Sequence, residues 1–144
     1  MKTLAEWLEA DYAYWVGGVR VADGEVAQKD LMNGWRARAV VSHRFPPDLS
    51  DNFEYLMANQ ELAEAVGTAT TAITREAGAF RVRTLRELVD LSRFEQTEYF
   101  QRYQMPYGLS DRLYVVTPIN PDAESYYCFE LAARTGGFRR RAPL

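Results

Sequence analysis

The chain has 144 residues, 47% of them apolar and 13% aromatic, with 20 acidic against 17 basic side chains and a formal charge of −3. A chain of this length buries about 70% of its extended surface around one core, its acidic balance lacks the basic excess that phosphate contact draws on, and a single cysteine, Cys128, allows neither an internal disulfide nor a thiolate zinc site. No apolar run approaches ~18 residues and no apolar leader follows Met1-Lys2, so the expectation is one cytoplasmic domain over 1–144 that neither enters a membrane nor binds nucleic acid directly.

Thr3 and Glu6 have the spacing of a capping box, predicting a short helix over Leu4 to Ala10. Tyr12 to Val21 is rich in rings and valines and reads as a strand closed by Asp23-Gly24. Gly17-Gly18 inside it points to a bulge or a close backbone approach. In "WRARAVVSHRF", Trp35, Ala37, Ala39 and Val41 alternate with Arg36 and Arg38, the period of a half-buried strand paired with the first.

Pro46-Pro47 closes that region, and Asp51 with Glu54 opens a helical stretch. Its apolar stripe is Leu62, Val66, Ala69 and Ile73; Phe53, Leu56 and Met57 fall off the stripe, which predicts a bend near Asn59. Gly78 is placed to end the second helix at positive φ. "AFRVRTL" alternates Phe80 and Val82 against Arg81 and Arg83 as a short strand. Thr84 with Glu87 and Ser92 with Glu95 read as two more capping boxes, the second opening an aromatic helix that Pro106 and Gly108 terminate. "RLYVVTPI" and "SYYCFELAA", joined by "NPDAE", predict an antiparallel hairpin. This order predicts an α+β sandwich, a central antiparallel sheet of about five strands flanked by helices.

The stretch "FRVRTLRELVDLSRFEQTEYFQRYQMPYGLSDRLYVV", followed by "ESYYCFEL" and Gly-Gly-Phe, resembles the GAF-like sensory domain that precedes the helix-turn-helix in bacterial LuxR-type transcriptional regulators. "DYAYWVGGVR" reads like that family's first strand. The resemblance implies a GAF/PAS-like signalling domain, without enzymatic activity, that receives a small ligand or partner signal and dimerises. The six residues "RRRAPL" after Phe138 carry no helix-turn-helix, which needs about 60 residues, so DNA binding does not transfer.

The residues offer little for covalent or metal chemistry. His43 is the only histidine, short of a triad or a histidine metal site. Cys128, between Tyr127 and Phe129, reads as a small buried hydrophobe. "GGVRVADG" has neither phosphate-loop spacing, and the acids lack the spacing of a calcium loop; neither metal nor cofactor is expected.

The rings are the remaining candidates. Tyr99, Phe100 and Tyr103 on one helix could face Tyr12, Tyr14 and Trp15 on the first strand, forming a cup for a small apolar or aromatic ligand, with Arg102 meeting an anion. The same rings would serve equally as core and dimer packing, with Arg102 in solvent. Two rivals stand beside the ligand-sensing homodimer. One is a small α+β enzyme of ketosteroid-isomerase type using Tyr/Asp acid–base chemistry; the other is an interaction module without a cavity. An enclosed cavity with paired Asp and Tyr would favour the enzyme, an apolar one without them the sensor.

Overall fold

Rings and β-branched residues supply long strands here, and the strands assemble as one antiparallel sheet. The computed structural model describes residues 1–21, 32–45, 47 and 63–132, apart from the side chains at 63–68 and 103. The elements are α1 (Lys2–Trp7), β1 (Tyr12–Arg20), β2 (Trp35–His43), α2 (Ala63–Arg75), β3 (Arg81–Thr84), α3 (Leu85–Leu88), α4 (Leu91–Phe94), β4 (Leu109–Asn120) and β5 (Ala123–Ala132). The sheet order is β2-β1-β5-β4-β3 with every pair antiparallel, so the architecture is α+β. Among the described residues no helix is long and apolar enough to cross a membrane.

The β4–β5 hairpin forms as predicted, Leu113 opposite Phe129 and Val116 opposite Tyr126, and Asn120 Oδ1 accepts the Asp122 amide in its turn. The two sheet faces are covered unequally. One packs Tyr14, Val16, Tyr114, Val116, Tyr126 and Cys128 against Ala69 and Ile73 of α2, Leu85, Phe94 and Tyr99. The other buries Ala13 and Phe129 under Ala5 and Ala10, while Val41 is 54% and Trp7 77% exposed.

The second strand departs from simple alternation. Register shifts between Gly17 and Gly18, leaving Arg38 as the extra residue between Gly17↔Ala39 and Gly18↔Ala37. A bulge moves the following side chains to the opposite face. Val40 and Ser42, rather than Ala39 and Val41, therefore share a face with Val16 and Tyr14.

The third strand is inverted with respect to its hydrophobic pattern. Arg81 is buried, whereas Phe80 is 65% exposed and Val82 is also out in solvent. A buried carboxylate, Glu124, holds the arginine inward and outweighs burial of the two apolar side chains.

Two of the predicted caps also differ. α1 begins at Lys2 with Met1 as its cap, which places Thr3 inside the helix. Asp90 caps α4 through the Ser92 amide, so Ser92 lies two positions too late to cap. Glu87 does reach back to the Thr84 amide, at 2.7 Å. The aromatic helix is broken: after α4 comes a π-helical turn, Phe100–Gln104, then a 3₁₀ turn, Met105–Tyr107, ended by Gly108 at φ 67°. Gly78 adopts φ 97° after α2. The expected stripe is buried at Ala69 and Ile73; Leu62 and the predicted bend near Asn59, with Phe53, Leu56 and Met57, lie outside the described residues, as does the terminal Arg139–Arg141 run.

Candidate functional site

Between α2 and the sheet lies a cavity of about 60 Å³. Alternation along the strands decides its wall. β1 supplies Tyr14, Val16 and Gly18, β5 supplies Tyr126 and Cys128, and β4 supplies Arg112 and Tyr114. Trp35 and Ala37 of β2 close one end, Thr70, Ile73 and Thr74 of α2 form the roof, and Tyr99 enters from the broken helix. Gly18 is there for close approach: a Cβ on it would lie 2.8 Å from the Tyr126 ring. A side chain would thus push that ring off the wall.

Arg112 gives the cavity a polar pole. Its side chain is 6% exposed, its Nε and Nη2 lie 2.6 Å from Glu130 Oε1, and Nη1 donates to the Tyr114 hydroxyl at 2.8 Å. The guanidinium also stands over the rings of Tyr14 and Tyr114, 5.7 and 5.5 Å from their centroids. Burial opposes its charge, yet Glu130 beside it more than compensates and holds the arginine protonated. Burial lifts the Glu130 carboxyl above the usual carboxylate range, with Arg112 pulling against that rise.

The Tyr14, Tyr114 and Tyr126 hydroxyls and the Cys128 thiol stay neutral. Burial raises Tyr14, Tyr114 and Tyr126 above the ordinary phenol value, Arg112 opposing it at the first two, and burial pushes the Cys128 thiol up to about 12. A catalytic phenol or thiol needs the opposite shift. Among the described residues no aspartate lines the cavity and no cluster of three metal-ligating side chains exists. What the wall can do is exclude water and hydrogen-bond.

A second buried network borders the cavity through Tyr126. Its hydroxyl donates to Glu124 Oε2 at 2.6 Å, and Arg81 pairs with both Glu124 oxygens at 2.9 and 2.8 Å. Glu124 Oε1 also accepts the Gly78 amide at 2.7 Å, while Arg81 donates to the carbonyls of Ile73 and Ala79. The C-terminal end of α2 is thereby fastened to β3 and β5.

Of the residues singled out from the sequence, Tyr14 and Tyr99 meet at the cavity. Tyr12 instead packs on Phe45, ring centroids 5.6 Å apart, beside α1. Trp15 alternates to the other sheet face and lies over Gly17. Phe100 packs edge-on against Phe94 at 5.9 Å, behind the cavity wall. Arg102 is exposed and 3.6 Å from Glu98. The Tyr103 side chain is outside the description. The π-helical turn separates Tyr99 from its neighbours, and Gln104, buried there, donates to the Tyr99 hydroxyl at 3.3 Å.

Arg112, Glu130, Tyr114 and Tyr126 were not singled out by the sequence reading. A signal was present. Arg112, Tyr114 and Val116 share one phase of β4, Tyr126, Cys128 and Glu130 share one phase of β5, and the hairpin register sets Arg112 opposite Glu130. Two opposite charges at facing inward positions mark a buried pair.

No known family matches the chain. No curated protein matches its sequence either. Among solved structures, the VqsR LBD domain from Pseudomonas aeruginosa superposes with a TM-score of 0.58 at 14% identity, covering 92% of this chain and 68% of that one. At that identity the likeness is one of fold.

Proposed function

We propose that this chain is a non-enzymatic sensory domain whose cavity receives a small apolar or aromatic ligand. The observation that carries the reading is the half-open, largely apolar cavity roofed by α2, with one polar pole at Arg112, Tyr114 and Tyr14. Such a combination suits a binding site: apolar walls provide affinity and a few fixed polar groups set orientation. The fold likeness to the ligand-binding domain of VqsR, a LuxR-type regulator, supports the same reading. Ligand contacts are proposed for Tyr14, Tyr99, Tyr114, Tyr126 and Arg112. Phenols and a thiol raised by burial, in a wall whose described residues include no aspartate, favour this over the isomerase reading.

The finer architecture we propose is a GAF/PAS-like single domain, supported by a five-stranded sheet with α2 on one face and α1 on the other. A cytoplasmic homodimer is the proposed assembly; Leu4 and Trp7 of α1 and Val41 of β2 leave apolar surface exposed for it. Native mass spectrometry of protein purified from its host tests both points. The expected spectrum is a dimer retaining a small molecule that is lost from Ala37→Phe, which fills the cavity. Equal retention by that variant would place the ligand elsewhere.

A further inference from the structure

A guanidinium carries five N–H donors. Glu130 takes two from Arg112 and the Tyr114 hydroxyl one, so among the described residues two remain on a group that forms part of the cavity wall. Glu130, 3% exposed, also cancels the arginine's charge at 2.6 Å. Asp111 alternates away from this phase and pairs with Arg86 at 2.7 Å. The pole therefore offers donors without net positive charge.

A carboxylate brought to this pole would leave water, meet Glu130 at close range and find a guanidinium already neutralised. A neutral carbonyl or amide oxygen would accept from Arg112 at a much smaller desolvation cost. The other cation among the described wall residues, Arg36, belongs to the opposite end: β2 and β1 set Trp35 against Arg20, eight residues along β1 from Tyr12, which pairs with Glu130.

We propose that the Arg112–Glu130 pair is the specificity element of the cavity and selects uncharged ligands with a hydrogen-bond acceptor over their carboxylate counterparts. This rests on the cavity being a ligand site. Matched probes small enough for about 60 Å³ test it: acetamide, propanamide and butanamide against the corresponding acids, titrated calorimetrically into the full chain at neutral pH. The expected result is a preference of roughly tenfold or more for the amide of at least one pair. Glu130→Gln, which exposes the positive charge of Arg112, shifts that ratio toward the acid. Equal or tighter binding of the acid by the unaltered chain overturns the inference while leaving the cavity a ligand site. A ratio that ignores Glu130→Gln and follows Arg36→Gln overturns it likewise.

Where Glu130→Gln fails to fold, Arg112→Met/Glu130→Met is decisive. It is expected to keep xenon, a small apolar probe, and lose the preference for the amide, and retention of full amide affinity sinks the proposal. If no member of any pair binds the unaltered chain, the ligand reading itself falls, and this inference with it.

Discussion

Among the described residues, two buried arginine–glutamate pairs lie on the same side of the sheet, and they differ in what surrounds them. Glu124 accepts from Arg81 at both oxygens, from the Gly78 amide and from the Tyr126 hydroxyl, and Arg81 also ties down two carbonyls at the end of α2. Glu130 and Arg112 bond each other and tyrosines on the cavity wall, with guanidinium donors left over among the described residues. The first pair fastens backbone to backbone. The second joins side chains of adjacent strands and faces space. A buried ion pair is thus structural or recognitive according to what its leftover donors and acceptors meet, since the charges alone are close to break-even in stability.

Removing both members of each pair breaks or sharpens this contrast most strongly. Arg81→Met/Glu124→Met orphans the Gly78 amide, two carbonyls and the Tyr126 hydroxyl, and should cost about 3–5 kcal/mol in urea unfolding. Arg112→Met/Glu130→Met takes from the Tyr114 hydroxyl its Arg112 donor and should cost under about 2 kcal/mol. Equal losses would erase the distinction between the pairs.

Gly18→Ala comes next. The new Cβ, 2.8 Å from the Tyr126 ring, forces that ring to move, with an expected cost of about 1–3 kcal/mol. Because Tyr126 holds Glu124 and lines the cavity, the same substitution should weaken ligand binding, read by the same calorimetry.

The pairs also carry opposite pH signatures. At Glu124 burial raises the carboxyl, but Arg81, the Gly78 amide and Tyr126 prevail and hold it below its ordinary 4.5. The folded value is depressed, so its contribution is present above 4.5 and lost as pH falls through the folded value. Glu130 is raised by burial, so the folded state binds the proton more tightly and stability falls as pH rises above 4.5 through the folded value. Stability followed against pH should therefore lose its acid-side decline in Glu124→Gln and lose the opposing slope in Glu130→Gln. The same slope surviving in both variants would refute the assignment.

These contrasts also explain what could be read from the sequence. Strands, the hairpin and the Gly78 and Gly108 stops were legible because they depend on local alternation, turn chemistry and positive φ. The close approach at Gly17-Gly18 was legible for the same reason, as both a register shift and a ring against Gly18 occur there. The inversion of β3 was hidden, because it depends on Glu124, 43 residues from Arg81. The reversal after Arg38 was hidden too, since a bulge changes phase without changing composition. At the site, Tyr14 and Tyr99 were visible as rings, whereas Arg112 was not singled out, because its significance depends on the hairpin register that sets Glu130 beside it.

The smallest expected effect concerns the arginine that sequence reasoning placed among the rings. Arg102 has a side chain 66% exposed, and its distance to the 81% exposed Glu98 is 3.6 Å. Ion pairs of that kind contribute under about 1 kcal/mol, because water screens the charges and two long side chains must be immobilised. Arg102→Ala should shift stability by no more than about 0.5 kcal/mol and leave the amide-to-acid ratio of the cavity unchanged, whereas Arg112→Met should change that ratio. The two arginines differ chiefly in where the backbone puts them: the π-helical turn leaves Arg102 in solvent, and alternation along β4 carries Arg112 inward. A ratio that moved with Arg102 and stood still with Arg112 would place recognition on the helix surface, outside the cavity.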